Sequence, residues 1–167
     1  MDYRTHPLDE LLDSIASETV APAGGTATAV VGATGASLFE MVCIHTIGNE
    51  EYADVTEEVA ALRDDLRKQR EHLLDLADAD ATVVDELFSS VDGDIEEFAI
   101  KRSIGVPLTI GAACRNVLEL AIDVAATGTQ NALPDAGTGA ILTRAALQAA
   151  VFTVRSNVDW VSDQSFV

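Results

Sequence analysis

Between Glu18 and Glu50 the chain carries a single formal charge, Glu40. Within this stretch Gly24, Thr28, Gly32 and Ala36 recur at spacing four, and so do Gly25, Ala29, Ala33 and Ser37. At 3.6 residues per turn each set lies along one helix face, where small side chains let another helix backbone come close. A helix this apolar needs protein around it on nearly every side. Its length would suit a membrane span. Thr26, Thr28, Thr34, Ser37, Glu40 and His45 interrupt it, so a core helix is expected instead. A chain of 167 residues has few other helices with which to enclose it. A partner subunit over this helix is therefore expected, most simply in a symmetric dimer.

Gly and Pro punctuate the rest of the chain, Ala is abundant, and β-type alternation is scarce. The length fits one domain, residues 1–167. Five main helices are predicted, in an all-α antiparallel bundle. The first runs from about Leu8 to Glu18 and the second from about Thr26 to Ile47. The third starts at Asp54, an N-cap with Glu57 three residues on, and runs to about Ser90. Val91 to Asp94 reads as a loop, with Asp94 capping a short helical stretch. Pro107 opens the fourth helix, which ends near Gly128. After a loop from Thr129 to Ala136, the fifth runs from about Gly137 to Asn157.

Charge narrows the functional classes. The chain has 28 Asp and Glu against 10 Lys and Arg, a formal charge of −18. That excludes a phosphate-tracking nucleic-acid surface and argues against docking on an anionic membrane. Only Lys68 and Lys101 are lysines, and 17 of the acids fall between Glu50 and Glu97. Such a surface repels itself unless salt screens it, so a salt-rich cytoplasm is the expected setting. Cys43 and Cys114 sit in apolar runs and read as buried free thiols. The polar start, Met1-Asp2-Tyr3-Arg4, does not read as a signal peptide.

Few residues stand out for chemistry. The apolar stripe of the third helix reads Val59, Leu62, Leu66, Leu73, Leu76, Val84, Leu87. Asp80 falls in that stripe, four residues from both Leu76 and Val84, while Asp78 and Asp85 lie off it. An inward carboxylate is costly unless it is paired or used. It suits a structural cap or an Arg partner as well as catalysis. Asp135, the only acid between Asp123 and Asp159, sits just before the fifth helix and reads as an N-cap or a second functional carboxylate. Arg144, Gln148, Val151 and Arg155 share one helix face. They suit an anionic ligand or the acids of the third helix. The turn Pro22-Ala23-Gly24-Gly25-Thr26 precedes a helix N-terminus, whose free N–H groups can hold an anion or a polar ring edge. His6, His45 and His72 lack metal-ligand spacing, so no metal is expected. No G-x-S-x-G nucleophile motif is present.

Taken in order, these landmarks resemble the cyclodeaminase domain of formiminotransferase-cyclodeaminase and its stand-alone relatives, the methenyltetrahydrofolate cyclohydrolases. The resemblance rests on Pro22-Ala23-Gly24-Gly25-Thr26, Met41-Val42, Thr46-Ile47-Gly48, Tyr52 and Asp78-Ala79-Asp80-Ala81. It continues through Val106-Pro107-Leu108, the segment from Asn131 to Gly137 with Asp135, and Val154-Arg155-Ser156-Asn157. It runs from about Leu8 to Asn157. Ala23 replaces a glycine of the family turn, Pro134 a small hydroxyl residue and Ile44 an asparagine. Asn49-Glu50-Glu51 stands where the family carries lysines, and the segment from Ser89 to Ile104 is shorter than usual.

The resemblance implies an intertwined all-helical homodimer whose substrate is a tetrahydrofolate carrying a one-carbon unit. No tightly bound cofactor is implied. It implies Asp80 as general acid/base, with Asp135 positioning the pterin or sharing the proton work. Pro22, Gly24, Gly25, Thr26 and Gly137 would contact the folate, with Arg155 and Arg144 meeting its glutamate tail. Two reactions fit, the hydrolysis of 5,10-methenyltetrahydrofolate and the ring closure of 5-formiminotetrahydrofolate with loss of ammonia. With no formiminotransferase domain in the sequence, the first is favoured. A non-catalytic helical dimer that kept the fold is the rival of another class.

Overall fold

The computed structural model describes residues 2–88 and 97–161. Five α-helices carry the fold: α1 (Leu8–Ile15), α2 (Gly24–Ile47), α3 (Thr56–Phe88), α4 (Glu97–Thr127) and α5 (Leu133–Val158). Short 3₁₀ turns at Glu50–Val55 and Gln130–Ala132 join α2 to α3 and α4 to α5. No strand occurs among the described residues. One pocket gathers the start of α2, the end of α3, the start of α4 and the end of α5, so the four long helices alternate in direction. The expected all-α antiparallel architecture is the observed one.

The apolar second helix is the centre of the bundle. Thirteen residues of α2 are buried within the single chain, so a bundle of this size does enclose most of it. By length and composition α2 could cross a membrane, but 56% of its most apolar stretch is packed inside the protein. Its glycines set the approach of its neighbours. A Cβ on Gly32 would lie 2.8 Å from the Cys114 sulfur, and one on Gly35 would lie 3.0 Å from the Gly139 carbonyl oxygen. Gly35 and Gly139 thus bring the α2 and α5 backbones together, a pairing outside the spacing-four sets. Phe39, Leu66, Leu73, Ile110 and Val117 fill the remaining core. Cys43 and Cys114 are buried and unpaired, and burial pushes both thiols up to about 11.

Several boundaries differ from expectation, each for a local reason. The first helix stops at Ile15, where the hydroxyls of Ser17 and Thr19 bond to nearby backbone instead. Asp54 does not cap the third helix, because it lies inside the preceding 3₁₀ turn. Asn49 caps that turn, its Oδ1 accepting from the Glu51 amide at 3.1 Å. Pro107 does not open α4 but sits inside it, the helix having begun by Glu97. The helix does end at Thr127, and a Cβ on Gly128 would collide with the Val124 carbonyl oxygen. The fifth helix starts at Leu133, with Asp135 in its first turn and not at its cap. The loop expected from Val91 to Asp94, the Asp94 cap and the end of the third helix at Ser90 lie outside the described residues.

The one charge in the apolar stretch has found partners. Glu40 is 8% exposed, and its two carboxylate oxygens accept from Arg67 Nε at 2.9 Å and Arg70 Nε at 3.0 Å. This clamp joins α2 to α3. Removing one member of such a group leaves the others desolvated and unpaired. The arginines keep some solvent, which moderates the loss. Glu40→Ala is expected to lower the melting temperature by roughly 5 °C, against little change for Glu57→Ala on the exposed face of α3. Equal melting temperatures by circular dichroism would contradict the clamp.

The far end of the bundle is tied by hydroxyls. Thr46 Oγ1 donates to the Val42 carbonyl at 2.8 Å and accepts from the Thr129 amide at 2.8 Å. Tyr52 Oη accepts from the Gln130 amide at 3.2 Å. These motif residues hold the α4–α5 connection against the end of α2.

Candidate functional site

Asp80 ends up where its position in the stripe places it. Its residue surface is 5% exposed, facing the first turn of α2. Thr26 Oγ1 donates to Asp80 Oδ2 at 2.9 Å. The Thr26 backbone amide also hydrogen-bonds the carboxyl. Gly25 makes this approach possible, since a Cβ there would stand 2.1 Å from Asp80 Oδ1. The N-cap position, Ala23, offers no side-chain oxygen. Asp80 therefore caps α2 from another helix, and favours its positive end. Burial raises the carboxyl above its ordinary value, and the two Thr26 hydrogen bonds pull partly against that rise.

A structural cap could be fully enclosed, but Asp80 also forms part of a cleft wall. The cleft is about 370 Å³ and lies at one end of the bundle. Gly24 and Gly25 border it on α2, and Val83, Val84, Leu87 and Phe88 on α3. Ser103 of α4 and Thr153, Asn157 and Trp160 complete it. The walls are mostly apolar, with a few polar groups converging near one carboxyl. That is the composition of a small-molecule site.

The expected site residues separate into two groups. Gly24, Gly25, Thr26 and Asp80 are together. Pro22 is buried just before them. Arg155 lies elsewhere, lining a second groove of about 410 Å³ between α4 and α5 with Pro107, Leu108, Arg115 and Val151. Arg144 is exposed, and neither arginine forms an ion pair among the described residues. Asp135 and Gly137 are exposed at the start of α5. Asp135 is 18 residues before Thr153, roughly 27 Å along the helix at 1.5 Å per residue. Within one chain it does not reach the cleft.

Asn157, Thr153, Ser103 and Trp160 were not singled out from sequence. Thr153, Asn157 and Trp160 recur at spacing four and three, one helix face continued past its end. In the last motif it is Asn157, not Arg155, that borders the Asp80 cleft.

A helical bundle that presents one buried carboxyl to an apolar cleft at a helix N-terminus has the form of a small-molecule enzyme. The sequence comparisons specify which kind. The family model described as formiminotransferase-cyclodeaminase matches residues 7–167, and the chain belongs to this family. It is 30% identical over 172 residues to a methenyltetrahydrofolate cyclohydrolase of Methylorubrum extorquens, covering 95% of this chain and 82% of that protein. The crystal structure of formiminotetrahydrofolate cyclodeaminase from Thermotoga maritima superposes with a TM-score of 0.92 at 26% identity. That match covers 98% of this chain and 83% of the other.

Proposed function

We propose that this protein is a methenyltetrahydrofolate cyclohydrolase with Asp80 as its general acid/base. The observation that carries the reading is the raised Asp80 carboxyl in the wall of an apolar cleft. The name of the Methylorubrum relative supports the choice of reaction. Water attacks the cationic carbon between N5 and N10 of the substrate, and its proton passes to the Asp80 carboxylate. The C–N5 bond then breaks, its electron pair stays on N5, and Asp80 returns a proton there. The second proton of the water leaves to solvent, and the product is 10-formyltetrahydrofolate. The ionised carboxyl also steadies the substrate cation. Thr26 holds the carboxyl in place, and the glycine turn lets the pterin approach the backbone.

The α4–α5 groove suits the rest of the folate. It is apolar along Pro107, Leu108 and Val151 and carries guanidinium groups at Arg115 and Arg155. An aromatic ring with a glutamate attached matches that pattern, with Arg144 farther along α5 for a longer tail.

The same reading includes a homodimer. α5 exposes Leu133, Ile141, Val151 and Phe152, and α2 leaves Thr34, Ser37 and Ile44 uncovered. Light scattering is expected to give twice the 17.6 kDa chain mass. Asp135 can share the proton work only if a second subunit brings it to the cleft, so its role is tied to that dimer.

The protein works in a salt-rich cytoplasm. With a formal charge of −18, its melting temperature is expected to rise between low and multimolar salt as self-repulsion is screened. A flat profile would overturn that setting.

The test of the function is the methenyltetrahydrofolate chromophore in high salt, read against a buffer blank because the compound hydrolyses unaided. Enzyme-accelerated loss supports the cyclohydrolase. The Thermotoga neighbour makes the cyclodeaminase the second reading. Accelerated gain of the chromophore from formiminotetrahydrofolate would select it. No acceleration in either direction would leave a non-catalytic helical dimer.

A further inference from the structure

Pro107 lies inside α4, four residues after Ser103. In a helix the carbonyl of residue 103 would accept from the N–H of residue 107, and proline has none. The Ser103 carbonyl is instead met by Asn157, whose Nδ2 donates to it at 2.8 Å. A carbonyl can only accept, so the bond fixes which way the Asn157 amide is turned. Its Oδ1 is left with no hydrogen-bond donor among the described residues. Asn157 and Ser103 both border the cleft that contains Asp80.

We propose that Pro107 and Asn157 form an orienting device in which the vacated Ser103 carbonyl holds the Asn157 amide so that its Oδ1 accepts from the N–H edge of a bound pterin. The inference rests on the folate reading above. A pterin ring carries donors at its 2-amino group and N3, and a carbonyl oxygen held in one orientation is a fitting acceptor for them. Val84, Phe88 and Trp160 supply apolar and aromatic surface for the ring faces. Asn157 is then a substrate-binding residue. Pro107 is a positioning residue that acts through it, and Pro107 lines the other groove, not this cleft.

The chain has one tryptophan, Trp160, in the cleft wall, so ligand binding can be followed by its fluorescence without any turnover. The probe is 6-hydroxymethylpterin, with p-aminobenzoylglutamate as a control lacking the pterin. Asn157→Leu is expected to weaken pterin binding about tenfold, the scale of one lost hydrogen bond, and to leave the control unchanged. Pro107→Ala restores an N–H that competes for the Ser103 carbonyl and frees the amide. It is expected to weaken pterin binding several-fold with an undiminished melting temperature, since alanine suits a helix interior better than proline. The double variant is expected to bind no more weakly than Asn157→Leu alone, because both changes break one device. A merely structural role would move the melting temperature and not the affinity. Unchanged pterin affinity in Pro107→Ala overturns the proposal, and that variant decides the matter even where Asn157→Leu fails to fold. A parent protein that does not bind the pterin overturns it too. Pterin binding that depends on both residues, in a protein that hydrolyses no methenyltetrahydrofolate, would sink the cyclohydrolase reading alone.

Discussion

Asp80→Asn is expected to reduce enzyme-accelerated hydrolysis of methenyltetrahydrofolate by roughly 10²- to 10⁴-fold, the range for loss of a positioned general acid/base. The amide keeps an acceptor for Thr26, which donates to the carboxyl at 2.9 Å, so the start of α2 stays capped. The fold should therefore survive a change that removes the chemistry. Stability moves in the opposite direction from activity. Burial holds the folded-state value of Asp80 above the ordinary one, whereas the unfolded chain ionises it near pH 4. The stability this residue contributes is complete below that pH and is lost as pH rises through the folded value. The amide does not titrate, so the variant should melt at or above the parent temperature at neutral pH, with the difference changing in the acid. The acid limb of the parent rate profile should lie above the usual aspartate range, because the base works only when ionised. An Asp80→Asn protein that folds and keeps full activity would falsify the assignment.

Gly25→Ala is expected to be nearly as damaging without touching a functional group. The added Cβ would stand 2.1 Å from Asp80 Oδ1 and 2.5 Å from its carboxyl carbon, a separation no real contact tolerates. Either the carboxyl swings away from Thr26 or α2 lifts from α3. In both cases the acceptor is misplaced by about 1 Å or more, which costs on the order of 10²-fold in rate. Gly105→Ala, in α4 and outside the cleft wall, supplies the contrast, since nothing lies within 4 Å of a Cβ there. Steady-state rates for the two variants should differ by about two orders of magnitude. Similar rates would mean that the approach of α2 to the carboxyl is unimportant.

The helices were legible where hydrophobic period and helix length agreed. α2 and α3 came through because one is almost without charge and the other carries a clear stripe broken at Asp80. Pro107 misled, because a proline is read most simply as a helix start. Here the helix continues through it, since the orphaned Ser103 carbonyl has Asn157 to meet it. Asp80 was legible because a carboxylate on an inward stripe is an energetic anomaly in any helix. Where Arg155 and Asp135 lie relative to it is not legible. Sequence order says nothing about which face or end of α5 meets which neighbour. Asn157 lay one turn from Thr153 on the same face, and only the packing of α5 against α4 shows that this face borders the cleft. Glu40 looked like a lone interruption because its arginines are 27 and 30 residues away.

The close approach of Gly35 to Gly139 also bears on how the chain must be made. The two residues are separated by 104 positions (139 minus 35), nearly two thirds of the 167-residue chain. At roughly 5–20 residues per second on the ribosome, α2 is synthesised on the order of 5–20 s before the part of α5 that covers it. Over that interval the most apolar segment of the nascent polypeptide lacks its final neighbour. The cleft is closed by residues of the same late helix, so the nascent polypeptide completes this end of the bundle only after α5 has been made.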